Sequence, residues 1–331
     1  MALTDFDSLF KSFSNLKVAV IGDVMLDTYW WGKVDRISPE APVPVVAVTS
    51  REERIGGAAN VALNVKAMGA TVHILSVIGA DPDGKKLETL LNQNRIQTDY
   101  LVKSEKRLTT NKIRIISRNQ QMMRLDAEMT SAINIEDESA LMSSVELYIK
   151  QEKPDIIILE DYNKGVLTET LIAKVIALCK AHQILTAVDP KRKNFFAYTN
   201  VDIFKPNLHE AKEGLNIISD EVSDEMLAGI HGLLKEKLQH KVSFITLSEK
   251  GVFYQTGDEH AVIPTHIRSI ADVSGAGDTV IAVASIVYAA TKNVHLMAEM
   301  ANIAGGLVCE EVGTVAINPK KLQEECKRLL N

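Results

Sequence analysis

The 331-residue sequence has few of the features that mark secreted, zinc-stabilised or membrane-spanning proteins. Its three cysteines (Cys179, Cys309 and Cys326) lie far apart, and it contains no C-x-x-C or H-E-x-x-H motif, so neither a disulfide framework nor a zinc site is indicated. The longest uncharged apolar run, 279–291, is too short to span a bilayer. The N-terminus is acidic and lacks the basic start of a signal peptide. These absences predict a soluble, cytoplasmic protein with no membrane partner.

Clustered positive charge is also missing. The net charge is −6, from 37 basic and 43 acidic residues, and the basic residues are scattered, which argues against a nucleic-acid partner. Hydrophobic residues make up 46% of the chain, enough for a sizeable core. No internal repeat, low-complexity tract or interdomain linker interrupts it. The sequence therefore predicts one domain over residues 1–331.

Apolar strands and amphipathic helices alternate along most of the chain. Buried strands are predicted at 16–21, 155–160, 184–189 and 242–247, with helices between them, which indicates a parallel sheet covered on both faces. Two segments, at about 28–54 and 100–125, differ: they alternate polar and apolar residues. We interpret them as a small β-sheet set apart from the main fold, and the prolines in the first segment predict edge strands.

The stretch D-V-S-G-A-G-D (272–278) runs into a small-residue apolar helix. Gly275, Ala276 and Gly277 fall at the first turn of this helix, where unpaired N–H groups and the helix dipole favour an anion. Asp278, beside this anion site, suits a base that takes the proton from a hydroxyl attacking a nucleotide phosphate. The alternative is an ordinary helix start with the aspartate as its N-terminal cap.

Polar residues follow several of the predicted strands. Ligands of open parallel sheets bind at the edge formed by the carboxyl ends of the strands, so these residues are predicted to face a ligand. They are Asp23, Glu160, Asp161, Asp189, Asn207 and Ser248.

Two other glycine motifs imitate nucleotide sites. G-A-D-P-D-G-K-K (79–86) nearly matches a P-loop, but Lys86 replaces the hydroxyl that should hold magnesium, and Asp81 and Asp83 would oppose a phosphate. We interpret it as a turn. Gly22 lacks the further glycines of a dinucleotide fingerprint, which argues against a nicotinamide enzyme.

Three motifs together resemble the signatures of the PfkB or ribokinase-like carbohydrate kinases. They are G-G-A-A-N-V-A (56–62), P-N-L-H-E (206–210) and D-V-S-G-A-G-D-T (272–279), in that order. The resemblance implies an α/β fold, namely a ribokinase-like three-layer α/β/α sandwich with a small β-sheet lid. It also implies ATP and Mg²⁺ as cofactors and a homodimer formed through the lid, and it leaves a monovalent cation open.

The resemblance assigns Asp278 as the general base, with the N–H groups of Gly275, Ala276 and Gly277 stabilising the transferring phosphoryl group. Asn207 and Glu210 would hold magnesium through water and contact ATP, although their spacing also suits a helix-capping pair. The other predicted ATP contacts, besides Gly275 and Gly277, are Ser248, Glu249, Gly251 and Asn302. For Asn302, a satisfied amide at a helix interface is the alternative.

On the sugar side, the carboxylates of Asp23 and Asp27 would accept hydrogen bonds from hydroxyl groups. The same wall is predicted to contain Gly56, Gly57 and Asn60, and for Asn60 a helix-terminal hydrogen bond is the alternative. Basic residues that could meet a phosphate are Lys164, Lys191 and the lid arginines Arg36, Arg118 and Arg124. The two lysines could equally be solvated. The sequence does not choose among the arginines, nor between those of the same chain and those of a partner's lid.

Further runs, among them G-D-V-M-L-D (22–27), R-I-S-P-E-A-P-V-P-V-V (36–46) and D-Y-N-K-G (161–165), resemble the heptose-phosphate kinases within this family. The resemblance implies phosphorylation of D-glycero-β-D-manno-heptose 7-phosphate at C1, for ADP-heptose and lipopolysaccharide core synthesis. Because the chain ends with its last predicted helix, we expect the stand-alone kinase form. The alternatives are a kinase of another sugar or sugar phosphate (ribose, fructose or a hexose phosphate) and a non-catalytic sugar and nucleotide sensor.

Overall fold

The computed structural model describes residues 4–118, 120–219, 222–266 and 268–331. Its strands, in chain order, are β1 (Lys17–Gly22), β2 (Val24–Ile37), β3 (Pro44–Gly57), β4 (Thr71–Leu75), β5 (Val77–Gly79), β6 (Val102–Ser104), β7 (Thr110–Ser117), β8 (Gln120–Ala127), β9 (Ile156–Glu160), β10 (Leu185–Asp189), β11 (Ile203–Phe204), β12 (Val242–Thr246), β13 (Val252–Thr256) and β14 (Glu259–Ile263). Its helices are α1 (Phe6–Ser12), α2 (Ala58–Ala67), α3 (Pro82–Gln93), α4 (Ile135–Glu152), α5 (Glu169–Ala181), α6 (Leu208–Leu215), α7 (Asp224–Leu238), α8 (Ala276–Thr291), α9 (Val294–Val308) and α10 (Pro319–Leu330).

Eight strands form the main sheet, in the order β14-β13-β12-β11-β10-β9-β1-β4. The six from β12 to β4 are parallel, and β13 and β14 extend the sheet antiparallel. Alternate residues of β1 face opposite sides: Val18 and Val20 pack in a core with α2, α8 and α9, whereas Ala19 and Ile21 pack in a core with α4, α5 and α7. Burial on both faces explains the continuous apolar strands, and the predicted three-layer α/β/α sandwich is confirmed.

Four strands form a separate sheet in the order β3-β2-β7-β8, which we call the lid. Its strands fall largely in the two segments predicted for it, but the second lid segment begins at Thr110 and not at about 100, because β6 pairs with β5 in a separate two-stranded sheet. Asn119 of the second segment lies outside the described residues. The prediction of proline-interrupted edge strands was wrong for β2, which lies inside the sheet and pairs with both β3 and β7. The prolines lie in the connection at 38–43 and at the first residue of β3, where no ladder N–H is lost.

The lid meets the main fold at the carboxyl edge of the large sheet. The first lid hairpin leaves at Asp23 and returns at Gly57, and Ala58 N donates to Asp23 O over 3.0 Å. Gly57 has a φ of +60°, and a Cβ there would lie 2.4 Å from Asp23 O, so only glycine fits this return point. The second lid hairpin begins beside Thr109, whose hydroxyl accepts from Gly79 N over 2.9 Å.

The motif at 79–86 forms a turn, as predicted. Asp81 caps α3, and its carboxylate accepts from Gly84 N over 2.7 Å and from Thr109 N over 2.8 Å. The carboxylate thus occupies the position that a phosphate would need. It anchors the second lid hairpin instead.

Helix α8 is the central buried helix of its layer. Its residues from Asp278 to Tyr288 are buried, and α2 and α9 pack against it. Gly275, with a φ of +78°, forms its N-cap at the same sheet edge as the lid base. In the four described ranges, no helix has both the length and the apolar character needed to cross a membrane.

Candidate active site

Asp278 lies buried in the first turn of α8, between two hydrogen-bond donors. Its Oδ2 accepts from Asn60 Nδ2 over 2.7 Å, and its Oδ1 accepts from the Tyr162 hydroxyl over 2.6 Å. Burial raises the pKa of Asp278 to about 6, against the lowering effect of these two bonds. The carboxylate is therefore oriented from both sides and is a stronger base than an exposed aspartate.

The turn before Asp278 has the geometry of an anion site only in part. A Cβ on Gly275 would lie 2.8 Å from Asn60 Nδ2, so this position requires glycine. Gly277 faces open space, because an added Cβ would find its nearest atoms at 3.8 and 3.9 Å, on Asp189 and Lys205. Ala276 N already donates to Val273 O over 3.3 Å, so this amide helps to close the turn itself.

A chain of alternating charges lines the wall beside Gly277. Asp189 Oδ2 is 2.7 Å from Lys205 Nζ, Asp189 Oδ1 is 3.2 Å from Lys191 Nζ, and Lys191 Nζ is 2.6 Å from Glu210 Oε1. Burial works against the charge of Asp189, but Lys191 and Lys205 outweigh it and lower the pKa of this carboxyl. Sequence reasoning included Lys191 and missed Lys205, although Lys205 directly precedes the P-N-L-H-E motif.

Glu160, at the end of β9, is fully buried beneath this wall. Neither carboxylate oxygen has a hydrogen-bond partner in the described part of the chain. Burial, followed by the charges of Asp189 and Asp278, raises the pKa of Glu160 well above its usual value. It adds an unused pair of oxygen ligands to the site.

Asn207 and Glu210 form a capping box at the start of α6. Asn207 Oδ1 accepts from Glu210 N, and Glu210 Oε2 accepts from Asn207 N, both over 2.8 Å. The capping alternative is thus confirmed, without excluding a metal, because carboxylate oxygens accept more than one bond. Among the described residues, no three acidic, histidine or cysteine side chains cluster as direct metal ligands. Glu210 with Asn207, and the unpartnered oxygens of Glu160, fit a hydrated Mg²⁺, which keeps several waters and needs few protein ligands.

Asp23 holds a loop. Its carboxylate accepts from the backbone N–H groups of Tyr162 and Lys164 over 2.9 Å each and of Val166 over 3.0 Å. Both oxygens thus serve buried amides that would otherwise lack partners. Asp23 thus shapes the 162–166 loop, which carries Tyr162 to Asp278, and its contact with sugar hydroxyls stays a prediction.

Asp27, at the base of the lid, is the carboxylate that faces the site from the other side. It forms an ion pair with Arg114 of β7. A Cβ on Gly56 would lie 2.3 Å from Asp27 Oδ2, so Gly56 lets this carboxylate approach the returning strand. Lys164 joins the same region, with its Nζ 2.8 Å from Glu128 Oε2.

Two of the predicted lid arginines lie far from the site of their own chain. Arg36 is exposed near the end of β2, roughly 30 Å along the strand from Asp27 at about 3.3 Å per residue. Arg118 is exposed in the turn after β7, near the same distal end. Neither arginine therefore reaches this chain's own site, and the alternative that one of them serves a partner's site stays a prediction. Arg124, on β8, lies opposite Arg114.

On the predicted nucleotide side, Ser248 and Glu249 lie in the turn that follows β12. Gly251 ends that turn with a φ of +100° and packs against Ile263 O. Asn302 is buried, and its Nδ2 donates to Pro264 O over 2.9 Å. This contact matches the alternative reading of Asn302 as an interface amide.

Tyr162 is a second side chain of the candidate site, after Lys205, that residue patterns alone missed. Besides its bond to Asp278, its ring lies under two ammonium groups, 5.6 Å from Lys112 Nζ and 5.7 Å from Lys191 Nζ. Burial, then the charge of Asp278, raises the pKa of Tyr162 well above its usual value, so it remains a donor. The D-Y-N-K-G run was the only signal for it in the sequence.

A family model described as pfkB family carbohydrate kinase matches residues 15–321. A protein of Bordetella bronchiseptica named D-beta-D-heptose 7-phosphate kinase is 39% identical over 319 residues, covering 95% of this chain and 97% of that protein. The bifunctional protein HldE of Geobacter sulfurreducens is 37% identical over 323 residues, covering 97% of this chain and 65% of that protein. The chain thus spans about two thirds of the length of the bifunctional relatives it matches.

The fold also matches solved structures. Phosphofructokinase-2 from Escherichia coli, in a complex with potassium, superposes with a TM-score of 0.80 at 16% identity, covering 96% of this chain and 99% of that one. At this identity the likeness concerns the fold alone. The family match over most of the chain and the 39% identity to a full-length relative are decisive: the chain belongs to the pfkB family of carbohydrate kinases.

Proposed function

We propose that this chain transfers the γ-phosphoryl group of ATP to the C1 hydroxyl of D-glycero-β-D-manno-heptose 7-phosphate and so serves ADP-heptose and lipopolysaccharide core synthesis. The observation that carries the kinase chemistry is the buried Asp278, held by Asn60 and Tyr162 at the N-terminus of α8. The substrate rests on the name of the Bordetella relative and on the heptose-kinase runs in the sequence.

In this reaction Asp278 accepts the proton of the sugar hydroxyl as its oxygen attacks phosphorus. With a pKa of about 6, Asp278 is ionised at neutral pH yet basic enough for the task. A positioned base contributes roughly 10²–10⁴-fold to the rate. The amides of the 275–277 turn and the ammonium of Lys205 would stabilise charge on the transferring group, since preorganised donors act strongly in a buried site.

Mg²⁺ would be held through water by Asn207 and Glu210, and when bound it supplies positive charge that offsets the charge of the phosphates. ATP would lie over Gly275 and Gly277 and reach toward Ser248, Glu249, Gly251 and Asn302. The potassium bound by the Escherichia coli neighbour makes a monovalent ion a further condition to vary in assays.

A homodimer through the lid is part of the proposal. The edge strand β8 is exposed along its length, and Met122, Met123 and Leu125 are exposed apolar side chains on it. Such an edge invites pairing with a second chain. Light scattering on the wild type and on Met123→Lys tests this: a dimer that becomes a monomer supports it, and a wild-type monomer contradicts it.

The substrate is tested by a side-by-side assay with ATP of heptose 7-phosphate, heptose, ribose and fructose 6-phosphate, with the product position read by phosphorus NMR. The expected result is a 1,7-bisphosphate from heptose 7-phosphate and slower turnover of the others. Faster turnover of ribose or fructose 6-phosphate would contradict the substrate assignment, and no turnover of any sugar would favour a non-catalytic sensor.

A further inference from the structure

We infer that Lys112, Arg114 and Arg124, which we call the lid cations, form the binding site for the phosphate monoester that a sugar substrate carries away from its reacting hydroxyl. This inference deepens the proposed function and rests on it for the direction in which the sugar lies. It replaces the distal arginines, Arg36 and Arg118, with three residues that sequence reasoning did not group.

The strand register places the lid cations on one face of the lid, above the site. Lys112 pairs with Asp27 on one side and with Asp126 on the other. Two residues further along, Arg114 pairs with Tyr29 and lies directly opposite Arg124. That this face is the one toward Asp27 follows from the ion pair between Arg114 and Asp27. The three cations thus occupy two neighbouring rows of the same face.

Positive charge on this patch exceeds what the protein neutralises. Asp27 pairs with Arg114, and Asp126 Oδ1 accepts from Arg124 Nε over 2.9 Å. The ammonium of Lys112 has no ion pair or hydrogen bond within the described ranges, although it is half-buried. Two arginines directly opposite each other on a sheet repel. A doubly charged anion between the rows would relieve the repulsion and give Lys112 its partner.

The position of Lys112 ties the patch to the chemistry. Its Nζ lies 5.6 Å from the centre of the Tyr162 ring, and the hydroxyl of that ring bonds Asp278. One aromatic side chain therefore separates Lys112 from the base, a span similar to a pyranose ring with a short exocyclic arm. A sugar whose reacting hydroxyl meets Asp278 would direct a terminal phosphate at the lid cations, while Asp27 lies beside the sugar hydroxyls.

Lys112→Met is the decisive variant, because it removes the charge and keeps most of the side-chain length. Within the described residues, the contact of the ammonium with the Tyr162 ring is the one that it breaks. Arg124→Gln is the second variant. The matched controls are Lys33→Met and Arg51→Gln, which remove exposed lid cations away from this patch; Arg51 packs on Trp30 at 4.7 Å. The melting temperature of each variant shows that it folds.

The measurement is kcat/KM for phosphorylated and unphosphorylated members of each sugar pair: heptose 7-phosphate with heptose, and fructose 6-phosphate with fructose. Lys112→Met and Arg124→Gln should each lower kcat/KM for the phosphorylated member by about 10- to 100-fold, the loss expected for a charge-assisted contact. The unphosphorylated member and the KM for ATP should change by less than about threefold, and both controls should match the wild type.

Equal losses on both members of a pair, or a rise in the KM for ATP instead, would overturn the assignment and point to the nucleotide phosphates. A preference that survives both variants and disappears in Arg36→Gln or Arg118→Gln would assign the site to a partner's lid. A wild type that prefers unphosphorylated sugars would also overturn it. Turnover of fructose 6-phosphate but not of heptose 7-phosphate would refute the proposed substrate. The role of the lid cations would then be tested by comparing fructose 6-phosphate with fructose in the same variants.

Discussion

The main sheet and the lid are both β-sheets, but they carry the two halves of the site in different ways. Residues of the main fold that face the site, such as Asn60 and Asp278, are buried and bonded to each other. The strand β8 of the lid is exposed throughout, and its charged groups reach the site from strands that have solvent on one side. The core half is thus preorganised by buried hydrogen bonds, whereas the lid half contributes ion pairs, of which Asp27–Arg114 is largely buried and Arg124–Asp126 is more exposed.

Because of this contrast, substitutions in the core and in the lid should have different effects. In the core, a side chain is constrained by packing and by a hydrogen-bond partner, so most changes cost stability and activity together. In the lid, substitutions away from the site should change stability little, and those on the inner face should change substrate choice. The following variants test that separation.

The largest effect is expected from the base. Asp278→Asn should lower kcat by about 10³-fold, near the middle of the range for a positioned base, because an amide cannot accept the hydroxyl proton. Binding of an ATP analogue, measured by calorimetry, should stay within about threefold. Asp258→Asn, in the exposed turn between β13 and β14, is the control and should be fully active. Activity of Asp278→Asn within tenfold of the wild type would remove Asp278 as the base.

A pair of identical substitutions compares the two sheets directly. Leu159 of β9 is fully buried, whereas Leu125 of β8 is 44% exposed. Leu159→Ala should lower the free energy of unfolding by about 3 kcal/mol, through lost burial and a cavity. In the Met123→Lys background, which is expected to be monomeric, Leu125→Ala should change it by less than about 0.5 kcal/mol, because the exposed side chain then has no second chain to pack against. Urea unfolding followed by circular dichroism measures both, and similar losses would show that the lid is packed as tightly as the core.

Glu210→Gln should raise the magnesium concentration needed for half-maximal rate by about tenfold, as for other groups that orient a metal through water. The capping bond to Asn207 survives in the amide, but the negative charge beside Lys191 is lost. The control is Glu213→Gln: Glu213 is on the same helix as Glu210, and its carboxylate pairs with the exposed Arg192. An unchanged magnesium titration would leave Glu210 as a cap only.

The smallest effect is a shift in a pH profile. Because Asp278 must be ionised, the rate should fall as the pH drops through about 6. The Tyr162 hydroxyl lowers the pKa of Asp278, so Tyr162→Phe should move this acid limb to higher pH, by about one unit for one strong hydrogen bond. Tyr198→Phe, which removes a buried bond to Asp161 instead, should leave the limb in place. A limb that does not move would show that the phenol does not tune the base.

The core half of the site was predictable because its residues lie in local motifs. Glycines before an apolar helix marked Asp278, and a glycine pair before another helix marked Asn60. The structural contacts of the strand-end polar residues could not be predicted, because sequence does not show that the Asp23 carboxylate accepts hydrogen bonds from three amides of the 162–166 loop.

The lid half was predictable only as a β-structure. Arg36 and Arg118, at its distal end, were predicted as phosphate ligands because the chain order places them in the lid. Whether a lid side chain can contact the site depends instead on strand direction and register. Asp27 pairs with Lys112, 85 positions later, and Arg114 with Arg124 across a hairpin. No local pattern encodes such pairings. Tyr162 was missed for a similar reason, since a tyrosine in a loop has no periodicity to reveal its partner.

The lid is joined to the core by four strand ends, and each is tied down near the junction. Asp23 and Ala58 hold the first hairpin, Thr109 the start of the second, and Glu128 pairs with Lys164 just after its end. A segment joined to the core at one point could rotate through large angles, whereas a sheet joined at four points has few ways to move. Its accessible motion is a shallow tilt about its base, which moves the distal turns furthest and Asp27 and Lys112 least. Insertions at the distal turns should therefore leave the positions of Asp27 and Lys112 nearly unchanged, because these residues lie close to the base of the lid.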